Sequence, residues 1–144
     1  MTDTLLVGVD GSEGGQRAAQ FAAARAKETG ARLIVAYVIE WSPYTFNTAQ
    51  ENEVRHKRRE EEIARAENEV VKPLVAALKS EGVSAEGAVR HGHAVEVLSR
   101  IAGEERASQI FIGRRGLSKF QALLFGSVAS SLVQVSPVPV TVIP

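Results

Sequence analysis

The sequence predicts an α/β fold in which βαβ units build a parallel sheet of five strands, within one domain spanning residues 1–144. Three observations predict it. Short apolar runs rich in Val and Ile alternate with longer stretches of helical period, the pattern of strands joined by crossover helices. The chain has 144 residues and 44% apolar content, enough to bury a core of ordinary domain size. It contains no cysteine, so that core must hold without disulfides or thiolate metal sites, and a reducing compartment is permitted.

The predicted strands cover residues 5–9, 32–39, 84–90, 109–112 and 138–143. The first, second and fourth read as strands buried on both faces. The first helix should start after Ser12, whose hydroxyl can cap it, and stop at Gly30, which can take the left-handed conformation beyond the last turn. Ala18, Ala19, Phe21, Ala22, Ala23 and Ala26 form its expected buried stripe. A second helix runs from about Ala49 to about Glu81, with Ile63, Val70, Leu74 and Leu78 at helical spacing, and Pro73 should kink or divide it. A third covers residues 94–106, with Val97, Leu98 and Ile101 inward, and a fourth residues 127–134. The last strand, being terminal, should lie at a sheet edge, where Pro139 is tolerated.

Charge narrows the classes of partner. Seventeen basic and seventeen acidic residues cancel, which removes the long-range positive field that nucleic-acid binding uses. The opening residues show no basic leader before an apolar run, and no stretch approaches the roughly 20 apolar residues of a spanning helix. Neither export nor membrane insertion is expected, and the cytoplasm is the expected compartment.

The chemistry concentrates behind the fourth strand, where Gly113-Arg114-Arg115-Gly116 is followed after nine residues by Gly126-Ser127. This segment joins a strand's carboxyl end to a helix amino end, the edge at which open α/β sheets bind ligands. Unpaired N–H groups there carry partial positive charge suited to phosphate, and glycine lets oxygens approach the backbone and permits left-handed turns. The plain alternative is that the glycines only make tight turns. No Walker A loop and no G-x-G-x-x-G is present.

Asp10 ends the first strand at the same edge, either as a ligand group or as a turn residue before the first helix. Arg114, Arg115 and Lys119 are candidates for phosphate contact or for simple solvation. Trp41, Tyr44 and Phe46 follow the second strand, where they can wall a pocket or pack on the next helix. His91 and His93 straddle Gly92, and His56 lies in a charged run, 51–69, that reads as a solvated helical face; no acidic pair completes a metal site. No Ser-His-Asp order, H-E-x-x-H motif or carboxylate pair defines a catalytic centre, so no catalytic residue is assigned.

The glycine segment resembles the ATP-binding signature of universal stress proteins, G-x2-G-x9-G-[ST], matched at Gly113, Gly116, Gly126 and Ser127. The opening Leu6-Val7-Gly8-Val9-Asp10-Gly11-Ser12-Glu13 and the closing Ser136-Pro137-Val138-Pro139-Val140-Thr141-Val142 are similar to that family's first and last passages. The resemblance implies a five-stranded parallel sheet with helices on both faces, Rossmann-like, and a homodimer formed through the strand 138–143. It implies ATP, with ADP and AMP as alternatives, held across the carboxyl edge with Mg2+. Carried over by position, Val9 and Val38 would flank the adenine and Asp10 would meet ribose or magnesium. The backbones of Gly113, Gly116, Gly126, Ser127, Val128 and Ala129 would hold phosphates and sugar, and Arg115, by its charge, is the added candidate for a phosphate oxygen. The implied role is a nucleotide-responsive stress or regulatory module. Slow ATP hydrolysis and nucleotide-independent capture of a protein partner are the alternatives.

Overall fold

The computed structural model describes residues 3–40, 49–116 and 126–144. Five strands form one parallel sheet in the order β3-β2-β1-β4-β5. β1, Thr4–Val9, is central, and all six of its residues are buried, which is why its sequence is apolar from Leu5 onward. β2, Arg32–Glu40, and β4, Gln109–Gly113, flank it in register, with Gly8 opposite both Ala36 and Ile112. β3, Ser84–Gly92, and β5, Val140–Ile143, are the two edges.

Alternation along the strands divides the core into two layers. Leu5, Val7 and Val9 of β1 face one way with Leu33 and Val35, against the alanines of α1, Glu13–Thr29, and Leu78 of α3, Lys72–Ser80. Leu6, Ile34, Ile110 and Ile112 face the other way, against Val97, Leu98 and Ile101 of α4, Ala94–Glu104, and Leu132 of α5, Ser127–Val135. Helices therefore cover both faces, and each fully buried Leu, Ile or Phe contributes roughly 1.5–3 kcal/mol.

The ends of α1 follow the sequence. Ser12 Oγ accepts from the Gly15 N–H at 3.1 Å, and Gly30, at φ 75°, donates its N–H to the Ala26 carbonyl. The stripe differs at one residue. Phe21 is 55% exposed, because it stands at the border of the alanine face, with its ring tilted against Phe111 at 6.2 Å.

The long second helix is not one helix. α2, Ala49–Ala66, passes through a π turn, Glu67–Val71, into α3. Pro73 has no N–H for the Glu69 carbonyl, so the α-helical ladder is already broken one turn upstream. Val71, buried in that turn, rests on Gly87 of β3, where a Cβ would overlap its side chain. β5 also starts later than predicted. Ser136 Oγ accepts from the Val138 N–H at 3.2 Å and donates to the Val138 carbonyl at 2.7 Å, holding this residue in a local turn. The Pro139 carbonyl still accepts from Ile110, at 2.9 Å. α4 stops short of residue 106, where Arg106 turns left-handed at φ 54°. Among the described residues, no helix is long and apolar enough to cross a membrane.

Candidate functional site

Parallel strands place all their carboxyl ends on one edge. Chain order runs outward from β1 to β3 on one side and then from β4 to β5 on the other, so connections leave β1 and β4 in opposite directions. A crevice opens at such a reversal. Here it is a cavity of about 360 Å³, and Val9, Asp10, Val38, Gly113, Arg115, Gly116, Gly126, Ser127, Val128 and Ala129 all line it. Sequence reasoning missed Gly8, Gly15, Ala36, Tyr37, Ile39, Glu40, Ala94, Leu98 and Ile112 on the same wall. Gly8 carried a signal, a glycine within a buried strand, since a Cβ there would stand 2.9 Å from Ile112 Cδ1.

The glycine loop is tied at both ends. The Arg114 N–H donates to the Ile143 carbonyl at 2.7 Å, and the Arg114 carbonyl accepts from the Gly126 N–H at 2.7 Å. β4 and the start of α5 are thereby held together behind the last strand. None of Gly113, Gly116 and Gly126 takes a positive φ, so left-handed turning is not their reason. Close approach is. A Cβ on Gly113 would stand 2.8 Å from the Gly14 carbonyl oxygen, and one on Gly116 would overlap Asp10 Oδ2. Gly126 is the least constrained of the three, with 3.4 Å left to the Arg114 oxygen.

Asp10 is a turn residue before α1 and also lines the cavity. Its Oδ1 accepts from the Ser12 N–H at 3.0 Å and from the Ser12 hydroxyl, building the turn that caps α1. Its Oδ2 packs against Gly116, where a Cβ would overlap it. Beside it, burial first and then the Asp10 charge push the Tyr37 phenol above its usual range, which keeps that hydroxyl protonated.

The amino ends of α1, α4 and α5 meet at this cavity, and their first turns differ. The amino end of α1 is filled by Ser12. That of α4 is filled from β2, where Glu40 Oε1 accepts from the Ala94 N–H at 3.0 Å and Oε2 stands 3.6 Å from His93 Nδ1. α5 starts at Gly126 with no side-chain cap among the described residues, so the N–H groups of Ser127, Val128 and Ala129 have no acceptor within their own helix. These donors line the cavity and carry the helix's partial positive charge toward it.

Arg114 and Arg115 are both exposed, and only Arg115 lines the cavity. Trp41, Tyr44, Phe46 and Lys119 lie outside the described residues. Each histidine sits beside a carboxylate: His91 beside Glu62 at 3.2 Å, His56 beside Glu60 at 3.0 Å, and His93 beside Glu40. Among the described residues, no group of three or more acidic and histidine side chains is arranged for a metal ion.

Fold and site together define a doubly wound α/β protein with a ligand cavity at the switch point of its sheet. The chain belongs to the universal stress protein family, whose model matches residues 1–144. It is 32% identical, over 99% of both chains, to the universal stress protein in the QAH/OAS sulfhydrylase 3′ region of Thermus aquaticus. Among solved structures, the universal stress protein UspA from Lactobacillus plantarum superposes with a TM-score of 0.85 at 23% identity, covering 99% of this chain and 97% of that one. A universal stress protein from Archaeoglobus fulgidus in complex with dAMP follows the same fold, with a TM-score of 0.66 at 21% identity over 100% and 98% of the two chains. So does a universal stress protein in complex with cAMP, with a TM-score of 0.67 at 24% identity over 99% and 96%.

Proposed function

We propose that this protein binds an adenine nucleotide, ATP with Mg2+ in the first instance, and serves as a nucleotide-responsive regulatory module rather than an enzyme. The observation that carries the reading is the first turn of α5, which has no side-chain cap among the described residues and lines a cavity whose other helix ends are filled by the chain's own side chains. Phosphates are the groups such a terminus receives best. The cavity lies within the size range of small-molecule sites, and its β2 side is apolar at Ala36, Val38 and Ile39, as a base requires. Two structurally similar family members have dAMP and cAMP bound, ligands that share adenine, a sugar and phosphate.

In this reading Val9 and Val38 flank the adenine, and Gly113, Gly116, Gly126, Ser127, Val128 and Ala129 present backbone to phosphate and sugar. Arg115 adds charge. Asp10 lines the cavity with one carboxylate oxygen engaged in the α1 turn and the other against Gly116, which fits ribose or a magnesium ion already carried by phosphates better than a metal cage of its own. The test is calorimetry with purified protein and ATP, with and without magnesium. One nucleotide per chain is expected, and no heat of binding under either condition overturns the reading.

The same reading takes residues 1–144 as one cytoplasmic domain working as a homodimer. Val140 and Val142 are half-buried on the free edge of β5, and Val133 and Val135 of α5 are exposed at 53% and 63%. An apolar edge strand pairs readily with its own copy across a two-fold axis. The double substitution Val140→Lys and Val142→Lys is expected to give a monomer by light scattering, with ATP affinity reduced only modestly. A wild type already monomeric, or a variant still dimeric, refutes the edge as the interface.

A further inference from the structure

We propose that Glu40 is a positioning and specificity residue, whose carboxylate closes the amino end of α4 to anions and so fixes which way round a ligand lies in the cavity. For the ligand's identity the inference rests on the nucleotide reading; for the exclusion itself it rests on geometry alone. Besides α1, whose first turn Ser12 fills, two helix amino ends border the same cavity, α4 through Ala94 and α5 through Ser127, Val128 and Ala129. Left bare, they would compete for one phosphate chain. Glu40 breaks the tie, because its Oε1 takes the Ala94 N–H at 3.0 Å and its negative charge cancels the positive end of α4.

Distance makes the choice consequential. Glu40 is on β2 and α5's amino end is hydrogen-bonded to the residue after β4, with β1 between the two strands. Neighbouring strands lie about 4.8 Å apart, so the two ends of the cavity are separated by about 10 Å. A ligand with one anionic end therefore lies with that end at α5 and its uncharged end beside Glu40. A ligand anionic at both ends meets a carboxylate at one of them and is rejected. Nothing in the local sequence marked Glu40, since its partner Ala94 lies 54 positions away.

The experiment follows backbone amide shifts by NMR while inorganic pyrophosphate is titrated into the full chain. In the wild type, the amides of Ser127, Val128 and Ala129 are expected to move and those of Ala94, Val95 and Glu96 to stay still. In Glu40→Ala both sets move, with the apparent affinity at the α4 amides raised at least about tenfold. Glu40→Gln keeps an acceptor for Ala94 while removing the charge, and gives a smaller gain in the same place; it carries the test alone if the alanine variant does not fold. Wild-type α4 amides that respond as strongly as those of α5 overturn the proposal, as do α4 amides that stay still in the substituted chains. Response at α4 in the variants with silence at α5 throughout upholds the role of Glu40 and instead removes the phosphate site from the nucleotide reading.

Discussion

The two ends of the sheet use polar groups in opposite ways. At the amino end, Arg32 donates to Glu86 at 2.9 Å and Glu105 at 2.8 Å, its Nε reaches Thr4 Oγ1 at 3.4 Å, and the Ser108 hydroxyl donates to Asp3 at 2.9 Å. The hydrogen bond to Glu105, joined by the charges of Glu86 and Glu105, outweighs burial and raises the Arg32 guanidinium above its ordinary range. Donors and acceptors are matched within the chain. At the carboxyl end α5 has no side-chain cap among the described residues, and Asp10, which builds the α1 turn, also lines the cavity. The comparison teaches that an identical strand architecture can be closed at one end and left reactive at the other by where a few side chains are spent.

The sharpest way to break that contrast is to fill the open end. Gly116→Val places a branched side chain against the Asp10 carboxylate, and ATP affinity is expected to fall at least about 100-fold, about 2.7 kcal/mol, in a chain whose circular dichroism is unchanged. Affinity that survives in a folded variant removes the loop from the site.

A gentler change separates the two oxygens of Asp10. Asp10→Asn keeps an acceptor for Ser12, so the α1 turn persists, while the charge facing the cavity is lost. A loss of about tenfold in ATP affinity is expected with magnesium and less without it. Equal losses under both conditions assign Asp10 to ribose alone, and no loss leaves it a turn residue.

The smallest effect is expected at the closed end. Arg32→Ala removes ion pairs whose guanidinium is 34% exposed and therefore partly screened, at a cost of about 1 kcal/mol, or roughly 3 °C in Tm. The difference should shrink in high salt, and ATP affinity should not change. A change in affinity would mean that the two ends are coupled through the strands.

How much of this was legible in the sequence depends on how far apart the interacting residues are. β1 announces itself because burial on both faces demands an unbroken apolar run, and α1 because Ser12 and Gly30 act on their own neighbours. The cavity residues were legible as a group, since glycine and serine between a strand and a helix mark a close approach. Their physical reason was only half read: the glycines admit the Asp10 carboxylate from the turn after β1 and the Gly14 backbone from the start of α1, about a hundred positions upstream. The π turn was invisible because it needs Val71 seated on Gly87, a contact across two elements. Phe21 read as core because helical spacing cannot say how wide a buried face is.

Arg114 carries one further consequence. With its N–H committed to Ile143 and its carbonyl to Gly126, this exposed residue has both of its backbone groups anchored, one in the final strand and one at the start of α5. Its amide and that of Gly126 cannot exchange with solvent deuterium until one of those anchors opens. The exchange clocks of the last strand and of the glycine loop should therefore run together, slowing jointly when a ligand seats on α5 and quickening jointly when the terminal strand frays.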